Sequence, residues 1–255
     1  PWRGSLAAGG CEAGMFRPWM PYLCLFVTAL LVALVATPLA GRIAWKVGAV
    51  DYPNKRRINR RPIPRMGGIA VFLGIIAAFV IQYLGTTRLD WPVVLTPAPH
   101  FASMSYQMLV VGFCVIFLTG VLDDIFQLKP LQKLLGQVIA AAVAVAGGLV
   151  IGTIVNPLTG DALELSWVAY PITVIYLVSY VNIFNLIDGL DGLASGIACI
   201  AGVTMFTLSV MAGRMDAASL AIALAGSTLG FLRYNFNPAS IFLGDSGSLL
   251  LGYAL

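Results

Sequence analysis

Seven apolar stretches, each close to the length that crosses a bilayer, dominate this chain. They run over residues 21–44, 67–84, 106–122, 131–151, 167–184, 193–212 and 217–234. The hydrocarbon core is about 30 Å thick, and a helix needs about 20 mostly apolar residues to cross it. There every backbone N–H and C=O must be satisfied without water, so continuous apolar runs of this length form helices. The expected fold class is all-α, a polytopic membrane helical bundle with seven complete spans. At 59% hydrophobic and 10% charged, the chain leaves no interval that could hold a soluble domain, and residues 1–255 read as one integral membrane domain. An eighth apolar stretch begins near Ser248 and reaches Leu255 after about eight residues, too few to cross. Met15, followed by a short polar lead and the first span, reads as a natural start, with residues 1–14 upstream or non-native.

The basic residues set the orientation. Arg42, Lys46, Lys55, Arg56, Arg57, Arg60, Arg61 and Arg65 cluster around the connection between the first two spans. Cytoplasmic loops are rich in Lys and Arg, so this loop is placed inside and alternation assigns the rest. Lys129, Lys133 and Arg233 then fall inside, and only Arg88 and Arg214 fall in outer loops. The net charge of +4 reflects this topology and gives no reason to expect nucleic acid as a partner. The same alternation, fixed by cations alone, places Asp123, Asp124, Asp188, Asp191 and Asp245 on the inner side. Acids beside hydrocarbon are costly and mark functional sites. Asp90, Asp161, Glu164 and Asp216 fall outside and read as solvated loop charges. His100, the single histidine, is also outside, so histidine chemistry is not open to the inner site. The four cysteines have no metal-ligand spacing and read as small buried apolar residues.

Four inner motifs carry the chemistry. Pro62, Pro64 and Gly67–Gly68 hold an extended approach to the second span, with Arg65 inside it; a rigid arginine suits a phosphate ligand, though a basic loop also serves topology and anionic lipid. Asp123 and Asp124 precede Pro130, which suits a first helical position. Lys133 then lies in a first helical turn, where a cation opposes the helix dipole unless an anion is present. The competing reading is a capping aspartate and a snorkelling lysine. Asn185, Asp188 and Asp191 lie in Asn-Leu-Ile-Asp-Gly-Leu-Asp-Gly-Leu, where the two acids would share one face of a helical turn. Asn235 and Asp245 lie in the last motif, and Asp245 or Ser246 is placed to cap the eighth helix. Carboxylates with Lys and Arg on one side suit Mg²⁺ and a phosphate substrate, because Mg²⁺ takes one or two carboxylates and completes its shell with water and phosphate.

Taken together, Pro62–Gly68, the Asp123–Asp124 pair with Lys133, residues 185–193 and Phe-Leu-Gly-Asp-Ser-Gly-Ser at 242–248 resemble the polyprenyl-phosphate N-acetylhexosamine-1-phosphate transferases, glycosyltransferase family 4. The Pro-Arg-Met-Gly-Gly form looks more like enzymes that start O-antigen, teichoic-acid or arabinogalactan linkers than like the peptidoglycan translocase, which is the runner-up with UDP-MurNAc-pentapeptide as donor. The resemblance implies transfer of a sugar-1-phosphate, most simply GlcNAc-1-phosphate, from a UDP-N-acetylhexosamine to a polyprenyl phosphate at the cytoplasmic face of the plasma or inner membrane, with release of UMP. It implies Mg²⁺, or Mn²⁺ in its place, on Asp245. It implies Asp123 and Asp124 at the lipid phosphate, Lys133 on phosphate, and Asn185, Asp188, Asp191, Asn235 and Arg65 around nucleotide and metal. A homodimer is compatible with it. The family often has His where this chain has Asn59. It also continues for several spans and a His-containing loop beyond this point, so the 255 residues by themselves are expected to transfer little. From other classes, a cation-coupled transporter would place its acids nearer the midplane on broken helices, and a non-catalytic lipid-phosphate-binding protein would lack turnover.

Overall fold

The computed structural model describes residues 19–53, 61–89, 91, 105–156 and 158–255. Lys55, Arg56, Arg57, Asn59 and Arg60, Asp90, His100 and the proposed leader lie outside the described residues. Among the described residues eight α-helices follow one another: α1 Met20–Val47, α2 Gly68–Arg88, α3 Tyr106–Phe126, α4 Pro130–Ala146, α5 Ala169–Ile187, α6 Leu193–Met211, α7 Met215–Asn235 and α8 Asp245–Ala254. Two short antiparallel pairs accompany them, β1 Val50–Asp51 with β2 Ile63–Pro64 and β3 Thr153–Val155 with β4 Ala162–Glu164.

Six of these helices are long and apolar enough to cross a membrane; α4 is apolar but has only 17 residues, about 25 Å of helix at 1.5 Å per residue. The expected fourth span is therefore cut short. Gly147 ends α4, and Gly148 takes φ 91°, which turns the chain out of the helix. The intended last turn instead joins the β3–β4 hairpin, and the Ile151 N–H bonds to Thr173 Oγ1 at 2.9 Å. The eighth helix starts at Asp245, three residues before its expected start.

The helices form two groups. α1, α2, α6 and α7 pack together, as do α3, α4 and α5, and α8 sits between α2, α3 and α5. Lipid is as apolar as leucine, so helices in a bilayer associate through close packing at small residues. The α1–α7 contact shows this: a Cβ on Gly226 would lie 2.4 Å from the Phe26 carbonyl oxygen, and one on Gly230 the same distance from that of Leu30. α8 is seated in the same way. A Cβ on Gly68 would fall 2.1 Å from the Gly247 nitrogen, and one on Gly120 2.4 Å from the Asp245 carbonyl oxygen. The sequence 64–68 is stitched to 242–243: Phe242 N–H donates to Pro64 O, Gly67 N–H to Phe242 O and Gly68 N–H to Leu243 O, at 2.9–3.0 Å. This gathers the C-terminal ends of α3, α5 and α7 with the N-terminal ends of α2, α4, α6 and α8 at one end of the bundle.

Candidate active site

The centre of that end is Lys133. It lies in the first turn of α4, after a three-residue connection in which Gln127 takes a left-handed conformation and the Gln132 side chain accepts from the Lys129 N–H. Its ammonium contacts Asp123 Oδ2 at 2.8 Å, binds Asp245 Oδ1 still more closely, and donates to Asn185 Oδ1 at 3.2 Å. Two carboxylates thus offset a charge that the helix dipole alone would oppose, and snorkelling does not describe it. Asn185 Nδ2 bonds the same Asp245 oxygen and donates to Ser248 Oγ at 2.8 Å. Three helices, α3, α5 and α8, therefore meet α4 at one ammonium group.

Asp124, 1% exposed, plays a different part from its neighbour. Its two oxygens accept the backbone N–H groups of Asp245 and Ser246 at 2.9 and 3.0 Å. The first N–H groups of α8 have no partner within their own helix, and Asp124 supplies one from α3. This corrects the expectation that Asp245 or Ser246 caps α8: the N-cap position is Gly244, which makes no side-chain cap. Gly244 has φ 75°, and a Cβ there would lie 2.7 Å from Asp124 Oδ2, so glycine is needed for both conformation and space. With Asp124 doing the capping, the Asp245 side chain is released toward Lys133. Asp123 accepts the Leu128 N–H at 2.8 Å on its other oxygen, which fixes the carboxylate while it holds the lysine.

Asp188 ends α5 and stands near the same group. Burial pushes its carboxyl well above the usual carboxylate range, and the nearby Asp245 and Asp124 push it further. A buried acid beside other acids behaves this way. Among the described residues the Asp188 carboxylate makes no hydrogen bond or ion pair. No three His, Cys, Asp or Glu side chains form a ready-made metal site among the described residues. A cation that expects an all-protein cage does not fit this donor set. Mg²⁺ would, since it accepts one or two carboxylates and takes the rest from water and phosphate; Asp245, with Asp188 close enough to be perturbed by it electrostatically, could supply them.

The remaining predicted residues are brought to the same end but support loops. Asp191 does not share a helical face with Asp188, because the chain turns between α5 and α6. Its Oδ2 accepts Asn237 Nδ2 and the Ala239 N–H, both at 3.0 Å, and so straps down the segment that leads to Asp245. Asn235 Oδ1 accepts Gly192 N–H at 3.1 Å and Ser195 Oγ–H at 2.7 Å, and its Nδ2 donates to Ile241 O at 3.0 Å. It braces α7 against α6. Arg65 donates through Nη2 to the Asp124 main-chain carbonyl at 3.2 Å, and its Nε is buried without a partner among the described residues. Sequence reasoning passed over Gln137, although a glutamine four residues beyond Lys133 in an apolar helix is a visible signal, and it did not place Ser248.

A profile of glycosyl transferase family 4 matches residues 106–255. The chain is 40% identical over 231 residues to a probable undecaprenyl-phosphate N-acetylglucosaminyl 1-phosphate transferase of Bacillus subtilis, which covers 90% of this chain and 60% of that protein. It is 37% identical over 248 residues to a decaprenyl-phosphate N-acetylglucosaminephosphotransferase of Mycobacterium leprae, covering 90% and 58%. It is 35% identical over 246 residues to a phospho-N-acetylmuramoyl-pentapeptide-transferase of Desulfitobacterium hafniense, covering 89% and 71%. The chain thus spans less than two thirds of the length of the first two of these relatives.

Proposed function

This chain belongs to glycosyl transferase family 4, and we propose that it transfers N-acetylglucosamine-1-phosphate from UDP-N-acetylglucosamine to a polyprenyl phosphate at the cytoplasmic face of the membrane. The observation that carries the reading is the meeting of Asp123, Asp245 and Asn185 on Lys133, beside Asp188, where four helices end together. Relatives named for undecaprenyl and decaprenyl acceptors support the lipid phosphate, and their names support the N-acetylglucosamine donor.

In the reaction an oxygen of the lipid phosphate attacks the β-phosphorus of the donor. The bond from that phosphorus to the bridging oxygen breaks, its electron pair leaves with UMP, and a lipid-linked diphosphoryl sugar remains. Asp123, fixed by the Leu128 N–H, holds the acceptor phosphate and takes its proton if it arrives protonated. Lys133 turns from the carboxylates toward the diphosphate, where its charge offsets the charge that builds up on the leaving oxygen. Asn185 orients Lys133 and Asp245 together, and Arg65 lies beside Asp124 for a further phosphate contact. Asp245, with Asp188, would hold Mg²⁺ (or Mn²⁺ in its place), which would supply charge neutralisation of the diphosphate when bound.

The test is a panel of radiolabelled donors with undecaprenyl phosphate in membranes carrying the full-length protein. UDP-N-acetylglucosamine should give lipid-linked product and UMP, EDTA should stop it, added Mg²⁺ should restore it, and Lys133→Ala should slow it by at least about a hundredfold, the cost of losing one such electrostatic contact. Product from UDP-MurNAc-pentapeptide alone would move the chain to the translocase reaction. Binding of lipid phosphate without UMP release from any donor would make it non-catalytic.

A further inference from the structure

One turn below Lys133, a second polar contact joins the same two helices. Lys133 and Gln137 are four residues apart on α4, and Asn182 and Asn185 three apart on α5, so each pair shares a helix face. Asn182 Nδ2 donates to Gln137 Oε1 at 2.6 Å and Gln137 Nε2 donates back to Asn182 Oδ1 at 3.4 Å. Asn182 Nδ2 also reaches the Val178 carbonyl at 2.8 Å. Gln137 is 2% exposed, and in an apolar surround an unpaired amide is costly. The two amides therefore have one good arrangement.

We propose that Gln137 and Asn182 are a positioning pair that sets the rotation of α4 and so places the Lys133 ammonium between Asp123 and Asp245. α4 has few other means of fixing its rotation. At 17 residues it is the shortest of the first seven helices, its principal neighbours are α3 and α5, and its outward face, Leu131, Leu134, Leu135 and Ile139, is apolar and exposed. Leucine against lipid costs nearly the same at any rotation, and successive residues stand 100° apart, so a small rotation would swing Lys133 away from its carboxylates. The buried amides resist this because any rotation separates them. Deeper on α4 the contacts with α3 and α5 are made by Ala140, Ala141 and Ala144, whose methyl side chains pack closely but form no hydrogen bond, and Tyr253 Oη on α8 donates to the Ala140 main-chain carbonyl at 3.3 Å. The inference rests on the proposed role of Lys133 in transfer.

The test exchanges the amides. Gln137→Leu and Asn182→Leu each break the pair; the double exchange Gln137→Asn with Asn182→Gln rebuilds it at the same combined length. Spin labels at Leu135→Cys on α4 and Leu186→Cys on α5, both outward-facing, report the relative rotation in the full-length protein without any substrate, in a background lacking the native cysteines. The single variants should shift or broaden the label distance and lower kcat by about a hundredfold, as expected for displacement of a catalytic group by about an ångström, with KM for the UDP-sugar within about twofold. The exchange should restore the wild-type distance and most of kcat. Wild-type distance and kcat in both single variants would overturn the proposal, as would an exchanged protein that folds yet keeps the shifted distance. Should a single variant fail to fold, the exchanged protein against wild type still decides. A wild-type protein that transfers no sugar would sink the functional reading, while the label distances would continue to judge the pair.

Discussion

Two aspartates that meet at the site, Asp124 at the end of α3 and Asp245 at the start of α8, carry different duties, and single substitutions should separate them. Asp124 accepts two backbone N–H groups of α8 in a buried setting, whereas Asp245 faces Lys133 and Asn185. Hydrogen bonds to a charged group contribute about 1.5–3 kcal/mol each. Asp124→Ala should therefore lower the melting temperature of the detergent-solubilised full-length protein markedly, and activity with it. Asp245→Ala leaves Lys133 paired with Asp123, so the fold should hold while Mg²⁺-dependent transfer disappears. Thermal unfolding and product formation measured side by side check this; a destabilised Asp245→Ala with an intact Asp124→Ala would reverse the assignment. The residue types at the site were legible from sequence because acids beside hydrocarbon stand out. Their division of labour was not. Asp124 caps a helix 121 residues away, and no local pattern encodes a cap supplied by another helix.

At the scale of elements, the seating of α8 is the feature on which the site depends. Helix α8 brings Asp245 and Ser248 to α4 and α5, and it is held by the glycines of α2 and α3 that admit its backbone. Gly68→Ala would put a methyl carbon 2.1 Å from the Gly247 nitrogen, a backbone atom that cannot move aside. Gly196 in α6 has no atom within 4 Å of such a methyl group, and Ala in a helix interior is favoured over Gly by about 0.5–1 kcal/mol. Expression and monodispersity in detergent should therefore collapse for Gly68→Ala and stay level or rise for Gly196→Ala. Equal behaviour of the two would show that α8 is not seated by close backbone contact. Hydropathy was enough to foresee the long helices, because a 20-residue apolar run has few alternatives in a bilayer. It failed at α4, where Gly147–Gly148 interrupts a run that stays apolar through Ile151, and hydropathy does not register a backbone that turns. It also could not show that Gly67–Gly68 fits against 242–247, which requires knowing that α8 returns between α2 and α3.

For the whole molecule, the decisive matter is which side of the membrane holds the converging helix ends. The structure places the aspartates at one end of the bundle and the β3–β4 hairpin belongs to the α4–α5 connection at the other, but geometry alone is symmetric with respect to the cell. The asymmetry is electrical. Arg42, Lys46, Arg61, Arg65, Lys129, Lys133 and Arg233 all belong to connections or helix ends on the aspartate side, against Arg88 and Arg214 on the hairpin side. Lys and Arg resist translocation, so the richer side is predicted to stay in the cytosol. The UDP-sugar proposed as donor is charged and would meet the cleft there. Leu158, 93% exposed in the hairpin, and Leu190, 57% exposed between α5 and α6, report the two sides. In single-cysteine versions, Leu158→Cys should react with a membrane-impermeant maleimide added to intact cells, and Leu190→Cys should react only in inverted vesicles. Each label also reads out at a position that carries no proposed catalytic role, so transfer activity can be confirmed in the same proteins. Labelling of Leu190→Cys from outside intact cells would turn the molecule over, and a cytosolic nucleotide donor would then have no access to the cleft.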